Sequence, residues 1–233
     1  MSPPMKNVHL YLLMGQSNMS GCGTVEEEDK TAHPRVLRID PGGQWIPAAE
    51  PLHFDVEARG VGPGFSFAKE MANADESVTV GLIPCAVGGS PLRMWQKGAD
   101  YYNAAVARAR EAMKAGSMKG VLWHQGESDL NDNDAPTYAA RFTQMVKDLR
   151  ADLGVKNLPV VVGTLGDFIV DFSPLTGFLN NALMNVPNEI HNTACALSTG
   201  LKNQDAVHFG AEAQRELGRR YAKEMTRLIG ATK

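Results

Sequence analysis

Four short stretches of this sequence carry residue types suited to nucleophilic chemistry. The first is Gly15-Gln16-Ser17-Asn18-Met19-Ser20-Gly21. A serine held between glycines where the chain turns is presented with backbone N–H groups close to its Oγ, as an attacking hydroxyl requires. The stretch is not a G-x-S-x-G elbow, because Met19 stands where the second glycine belongs. No Gly-Lys-Ser/Thr follows it, so it is not a phosphate-binding loop either. The last stretch is Asp205-Ala206-Val207-His208. An aspartate and a histidine three apart in a tight turn can face one way, the carboxylate on one ring nitrogen and the other nitrogen toward a nucleophile.

Two more stretches lie between them. Ala86-Val87-Gly88-Gly89-Ser90-Pro91-Leu92-Arg93-Met94-Trp95 contains a glycine pair that lets backbone approach a ligand closely. Trp123-His124-Gln125-Gly126-Glu127-Ser128-Asp129 ends in six polar or small residues, which beside a core require a hydrogen-bonded network. Taken singly, each stretch also fits a plain role: Ser17 as a helix cap, the glycine pair as a turn, the Asp/His pair as a surface pair. A metal reading of His124, Glu127 and Asp129 matches no standard spacing. Counted from Asp129, a calcium loop fails at Asp134, where glycine is required, and at Ala140, where glutamate is required. Cys22, Cys85 and Cys195 are odd in number and far apart, so they read as small hydrophobes rather than as disulfides or zinc ligands.

These stretches gain weight from the elements that position them. Apolar runs at Val8–Met14, Val36–Asp40, Val78–Pro84, Gly120–His124, Val160–Thr164 and Ala194–Ser198 read as strands covered on both faces. Tyr138, Phe142, Met145, Leu149 and Leu153 recur at helical spacing, as do Ala213, Leu217, Tyr221, Met225 and Leu228. Strand–helix alternation predicts a doubly wound α/β sheet, and no linker divides residues 1–233 into two domains. Ligands of such folds bind beyond the carboxyl ends of the strands, where all four stretches fall. A serine, a glycine N–H, an amide side chain and an Asp/His pair at one cleft are the parts of acyl transfer.

The bulk numbers agree with an enzyme. The 233 residues are 43% hydrophobic and 21% charged, and the net charge of −3 comes without a Lys/Arg run, which argues against a nucleic-acid partner. No run is long enough to span a membrane. The opening MSPPMKNVHLYLLMGQSN reads as the first strand and not as an export signal. The compartment stays open between cytoplasm and secretion with a removed leader, and the oligomeric state is not encoded legibly.

Together, G-Q-S-N-M-S-G, W-H-Q-G-E-S-D and D-A-V-H-F resemble the sequence blocks of the SGNH hydrolase superfamily, within it the carbohydrate-esterase branch of acetylxylan esterases and sialate O-acetylesterases. The resemblance implies a three-layer α/β/α sandwich of flavodoxin-like type around a parallel five-stranded sheet, which would leave Val36–Asp40 peripheral. It implies Ser17 as nucleophile, Asp205 and His208 as its partners, and an oxyanion hole of the Ser17 N–H, the Gly89 N–H (Gly88 being the alternative) and the Gln125 side chain. Glu127 is implied either as a supporting residue or as the acid partner in place of Asp205. Arg93 and Trp95, beyond the glycine pair, are candidates for sugar binding, with packing an equal alternative for the tryptophan. The expected activity is removal of small acyl groups, chiefly acetyl, from a carbohydrate, without metal or organic cofactor. The competing expectations are a general short-chain esterase or thioesterase, and a carbohydrate-binding protein without catalysis.

Overall fold

A computed structural model describes residues 7–54 and 60–230. Seven strands form one sheet: β1 (Val8–Gly15), β2 (Val36–Ile39), β3 (Trp45–Pro47), β4 (Thr79–Pro84), β5 (Ser117–His124), β6 (Val160–Gly163) and β7 (Thr193–Ala196). Their order across the sheet is β3-β2-β4-β1-β5-β6-β7. All pairings are parallel except that of β2 with β3.

The expected five strands are therefore too few. Val36–Ile39 is not peripheral, since it pairs parallel with β4 through Val36, Leu37 and Arg38. The strand unseen in the sequence is β3, where Trp45, Ile46 and Pro47 pair antiparallel with β2 through a turn at Asp40–Gln44. Three residues ending in proline give no period-two signal, and an edge is where a sheet tolerates proline.

The central strand shows why the chain takes three layers. Along β1, Leu10, Leu12 and Met14 face one side and pack with Tyr102, Ala105 and Ala109 of α4 (Asp100–Ala112), Phe142 and Leu149 of α5 (Tyr138–Leu153) and Leu183 of α6 (Thr176–Glu189). Tyr11 and Leu13 face the other side and join Phe65 and Phe67 of α3 (Pro63–Ala74) with Leu217, Tyr221 and Met225 of α7 (Ala211–Gly230). A period of two in the strand thus meets a period of 3.6 in the helices on both faces. Each such large side chain contributes on the order of 1.5–3 kcal/mol by leaving water. Two short helices, α1 (Ser17–Ser20) and α2 (Glu27–Lys30), precede α3. No described helix is long and apolar enough to cross a membrane.

The chain leaves β1 toward β2 and β4 on one side, then returns to β5, β6 and β7 on the other. This reversal opens a crevice at the carboxyl ends of β1, β4 and β5, the place where doubly wound sheets take ligands.

Candidate active site

The crevice begins at Gly15. Its φ of +134° suits glycine, and a Cβ there would lie 2.0 Å from the His124 carbonyl oxygen, so β1 and β5 converge only because the residue is bare. Gln16 then donates its N–H to the His124 carbonyl, and the chain turns into the single-turn helix α1 with Ser17 as its first residue. Ser17 is therefore not a side-chain cap. Its Oγ lies 3.0 Å from His208 Nε2.

His208 is held by the loop before α7. The Asp205 carboxylate accepts the N–H groups of Val207 and His208 through Oδ1, each at 2.9 Å, and meets His208 Nδ1 through Oδ2 at 3.0 Å. An aspartate closing a turn onto its own backbone is thus also the orienter of the imidazole. Burial works to raise the Asp205 pKa. The Val207 N–H, the imidazole and the His208 N–H outweigh it, and the carboxylate is held below its ordinary range. Because Asp205 is acceptor-only when ionised, Nδ1 carries the ring proton and Nε2 faces the serine with its lone pair.

Asn18 locks this loop to the turn that carries Ser17. Its Nδ2 donates to the Val207 carbonyl at 2.9 Å and to Glu127 Oε1 at 2.6 Å, and its Oδ1 accepts from the Phe209 N–H and from Gln214 Nε2. Phe209, fully buried, sets its ring edge-on against His124 and Phe168. Glu127 therefore holds Asn18, while Asp205 holds His208. Burial pushes the Glu127 pKa up against the pull of the Asn18 hydrogen bond.

The cleft, of about 350 Å³, is lined by Gln16, Ser17, Gly88, Gly89, Glu127 and His208, with Cys22, Ser128, Phe172 and Val207. Gly89 sits at φ +66° with open space on its Cβ side. Neither the Ser17 N–H nor the Gly89 N–H is engaged by a protein acceptor among the described residues. A roomier concavity of about 630 Å³, bordered by Thr24, Lys202, Glu212 and Arg219, contains neither Ser17 nor His208.

Three of the expected site residues lie elsewhere. Gln125 is fully buried, and its Nε2 faces Asp129 Oδ2 at 2.6 Å, Gln16 Oε1 at 3.1 Å and the Ser90 carbonyl at 3.2 Å. Its amide hydrogens point into the protein, not at the cleft. Trp95 is also fully buried, its indole N–H donating to Ser90 Oγ and its ring edge-on to Trp123. It is a core residue and offers no face to a sugar. Arg93 is exposed and pairs with Asp134 at 3.7 Å, away from the cleft-lining residues.

The sequence gives Gln16 and Asn18 no role of their own, and Asp129 is weighed there only as a metal ligand. Asp129 is fully buried, accepts from the Leu92 N–H and Gln125 Nε2, and pairs with Arg141 at 3.1 Å. Cys22, Cys85 and Cys195 form no disulfide among the described residues and are half-buried, and Cys22 borders the cleft rather than filling the core.

Residues 7–227 match the sequence profile of the family described as carbohydrate esterase, sialic acid-specific acetylesterase. The chain belongs to this family. A "probable carbohydrate esterase" of Arabidopsis thaliana is 34% identical over 92% of this chain and 89% of its own. Its solved structure superposes with a TM-score of 0.86 at 30% identity, covering 94% of this chain and 98% of that one. NanS shares the fold at 19% identity (TM-score 0.78, 97% and 98% covered). A carbohydrate acetylesterase from Xanthomonas citri does so at 22% (TM-score 0.74, 97% of this chain and 57% of that one). As a member of the acetylesterase family, this protein is a carboxylic ester hydrolase of the carbohydrate-esterase type.

Proposed function

We propose that the protein removes O-acetyl groups from a carbohydrate through an acyl intermediate on Ser17. The observation that carries this reading is the continuous relay Asp205 Oδ2–His208–Ser17 Oγ, with both contacts at 3.0 Å, at a small cleft. Ser17 Oγ attacks the ester carbonyl as its proton passes to His208 Nε2. The tetrahedral oxyanion takes hydrogen bonds from the Ser17 and Gly89 N–H groups. His208 then gives its proton to the departing sugar oxygen, leaving acetyl-Ser17 and a free hydroxyl. Water, deprotonated by His208, attacks the acetyl group, and collapse returns the proton to Ser17 and releases acetate.

The cleft supports a short acyl group. Its lining has few apolar side chains, Val207 and Phe172 among them, too few to sequester a long alkyl chain from water. The deciding experiment compares 4-nitrophenyl esters from acetyl to octanoyl, then acetate release from acetylated xylan and from O-acetyl sialic acid. Acetate preference with release from one of the polysaccharide or sialic acid substrates is expected. Equal rates across chain lengths without release from either carbohydrate would favour a general short-chain esterase. A fluorophosphonate that fails to label Ser17, read by peptide mass spectrometry, would leave only the binding-protein reading.

A further inference from the structure

We infer that Phe172 is the platform for the sugar ring of the ester, in the role the sequence suggested for Trp95. The inference rests on the acyl-Ser17 reading and concerns the alcohol half of the substrate. Among the described residues, the exposed large apolar side chains are Val170, Phe172, Phe178, Met184 and Leu197. Phe172 is the most exposed of them, at 62%, and it alone of the five borders the cleft with Ser17 and His208. A phenyl ring left in water adds little to the stability of a fold. In a cleft, it offers a flat apolar face.

The backbone that carries the ring is fixed. Leu165 donates its N–H to Asn180 Oδ1 at 2.7 Å and accepts from Asn180 Nδ2 at 3.0 Å. Asp167 accepts from the Gly200 N–H at 3.2 Å, and Phe168 packs edge-on against Phe209. The carbonyl of the fully buried Ile169 accepts from the N–H groups of Phe172 and Ser173, each at 2.9 Å, and from Thr176 Oγ1 at 3.2 Å. The turn sends Phe168 and Ile169 inward and Phe172 out.

Sheet order sets the ring across the serine from Gly89. Gly88 and Gly89 follow β4, Ser17 follows β1, Glu127 and Ser128 follow β5, and Phe172 lies beyond β6. These strands stand in the order β4-β1-β5-β6. An ester carbonyl drawn toward Gly89 leaves its alcohol oxygen for His208 Nε2, and the sugar on that oxygen has the β5–β6 side. There its C–H groups, positive at hydrogen, meet the negative face of the Phe172 ring. A cleft of about 350 Å³ is at the small end of ligand sites, enough for one sugar ring and its acetyl group. The acetyl group therefore sits on the ring that Phe172 carries, not at the end of a side arm.

The test measures acetate release from methyl β-xylopyranoside acetylated on its ring hydroxyls, from a sialic acid acetylated on its glycerol tail, and from ethyl acetate. In Phe172→Ala, the ratio of kcat/KM for the xyloside to that for ethyl acetate should fall roughly tenfold, mainly through KM, with Tm held. Phe172→Tyr, which keeps the aromatic face, should preserve the ratio, and Phe172→Leu, apolar without a face, should not. The sialic acid ester should lose less than the xyloside. In a Ser17→Ala background, Phe172→Ala should weaken binding of the acetylated xyloside by a similar factor in an NMR titration. A ratio within about twofold of the parent, or a leucine variant equal to it, would overturn the inference. So would a larger loss on the sialic acid ester, or a loss on ethyl butyrate relative to ethyl acetate, which would place the ring at the acyl chain. Failure of the underlying reading looks different: fluorophosphonate would leave Ser17 unlabelled and Ser17→Ala would remain active, while the binding titration would still report on Phe172.

Discussion

The loop carrying Asp205 and His208 and the turn following β5 meet at the same serine but are built in opposite ways. Asp205 is nearly half exposed and His208 about a quarter exposed at their side chains, and the loop is held by an aspartate bonding to its own backbone. The β5 turn is closed: His124, Gln125 and Asp129 are fully buried, and their polar atoms are satisfied largely by one another and by Tyr138, Tyr221 and Arg141. The difference separates two tasks. Groups that exchange protons with substrate must be reachable, whereas groups that fix the serine's turn must not move. A buried network resists movement, because opening it leaves unpaired polar atoms costing about 1–3 kcal/mol each.

Substitutions on the two sides should therefore fail in different currencies. The largest effect is expected for Ser17→Ala, which removes the covalent route of the proposed mechanism and should lower kcat by at least about 10³-fold while the thermal unfolding curve stays in place. Trp95→Ala on the buried side should do the reverse. It should cost about 3–5 kcal/mol in unfolding free energy by urea titration, with similar losses of turnover on 4-nitrophenyl acetate and on an acetylated oligosaccharide. A selective loss on the oligosaccharide, with stability unchanged, would return Trp95 to the sugar site and break the division.

The same division explains how much was legible in the sequence. Ser17, Asp205 and His208 stood out because each lies in a short polar, glycine-containing stretch just past a strand, and the α/β/α layering followed from apolar runs such as Val8–Met14 and Val160–Thr164. Two things were hidden. The edge strand Trp45–Pro47 is too short and too close to proline to show a period. The surroundings of Gln125 and Trp95 depend on which way a side chain turns. An amide reads identically in the sequence whether its hydrogens face a cleft or a buried carboxylate, and Arg93-Met94-Trp95 lies on a 3-10 turn that sends Trp95 inward and leaves Arg93 outside. Gln16 and Asn18 flank the serine and were within reach of a reading that asked what holds the turn.

A finer comparison sets Asp205 against Glu127, the two carboxylates near His208. Asp205→Asn replaces an acceptor on Nδ1 with an amide able to present a donor there, which disfavours the productive tautomer, and kcat should fall about 10²-fold. Glu127→Gln keeps an acceptor for Asn18 and should cost less than tenfold. Steady-state rates on 4-nitrophenyl acetate decide it, and the reverse order would make Glu127 the acid partner.

The two histidines give the smallest and most local version of the contrast. His208 faces the cleft, while His124, at the end of β5, is fully enclosed, and burial alone pushes its pKa down to about 3. Tyr221 OH donates to the Trp123 carbonyl at 2.7 Å, so its oxygen accepts from His124 Nδ1–H at 3.1 Å, and the ring is neutral with a bare Nε2. A histidine with a depressed pKa takes a proton in the unfolded chain near pH 6.5 but not in the folded one. Its contribution to stability is therefore lost as pH falls from about 6.5 toward 3, with a slope of about 1.4 kcal/mol per pH unit for one proton. His124→Asn keeps a donor for Tyr221 and removes the titration. The variant should be less stable than the parent at pH 7.5, where the lost packing dominates, and the gap should narrow steadily toward pH 4.5 in urea titrations run across that range. Parallel stability curves would mean that His124 takes up its proton inside the fold, and the β5 turn would then be more open than its hydrogen bonds describe.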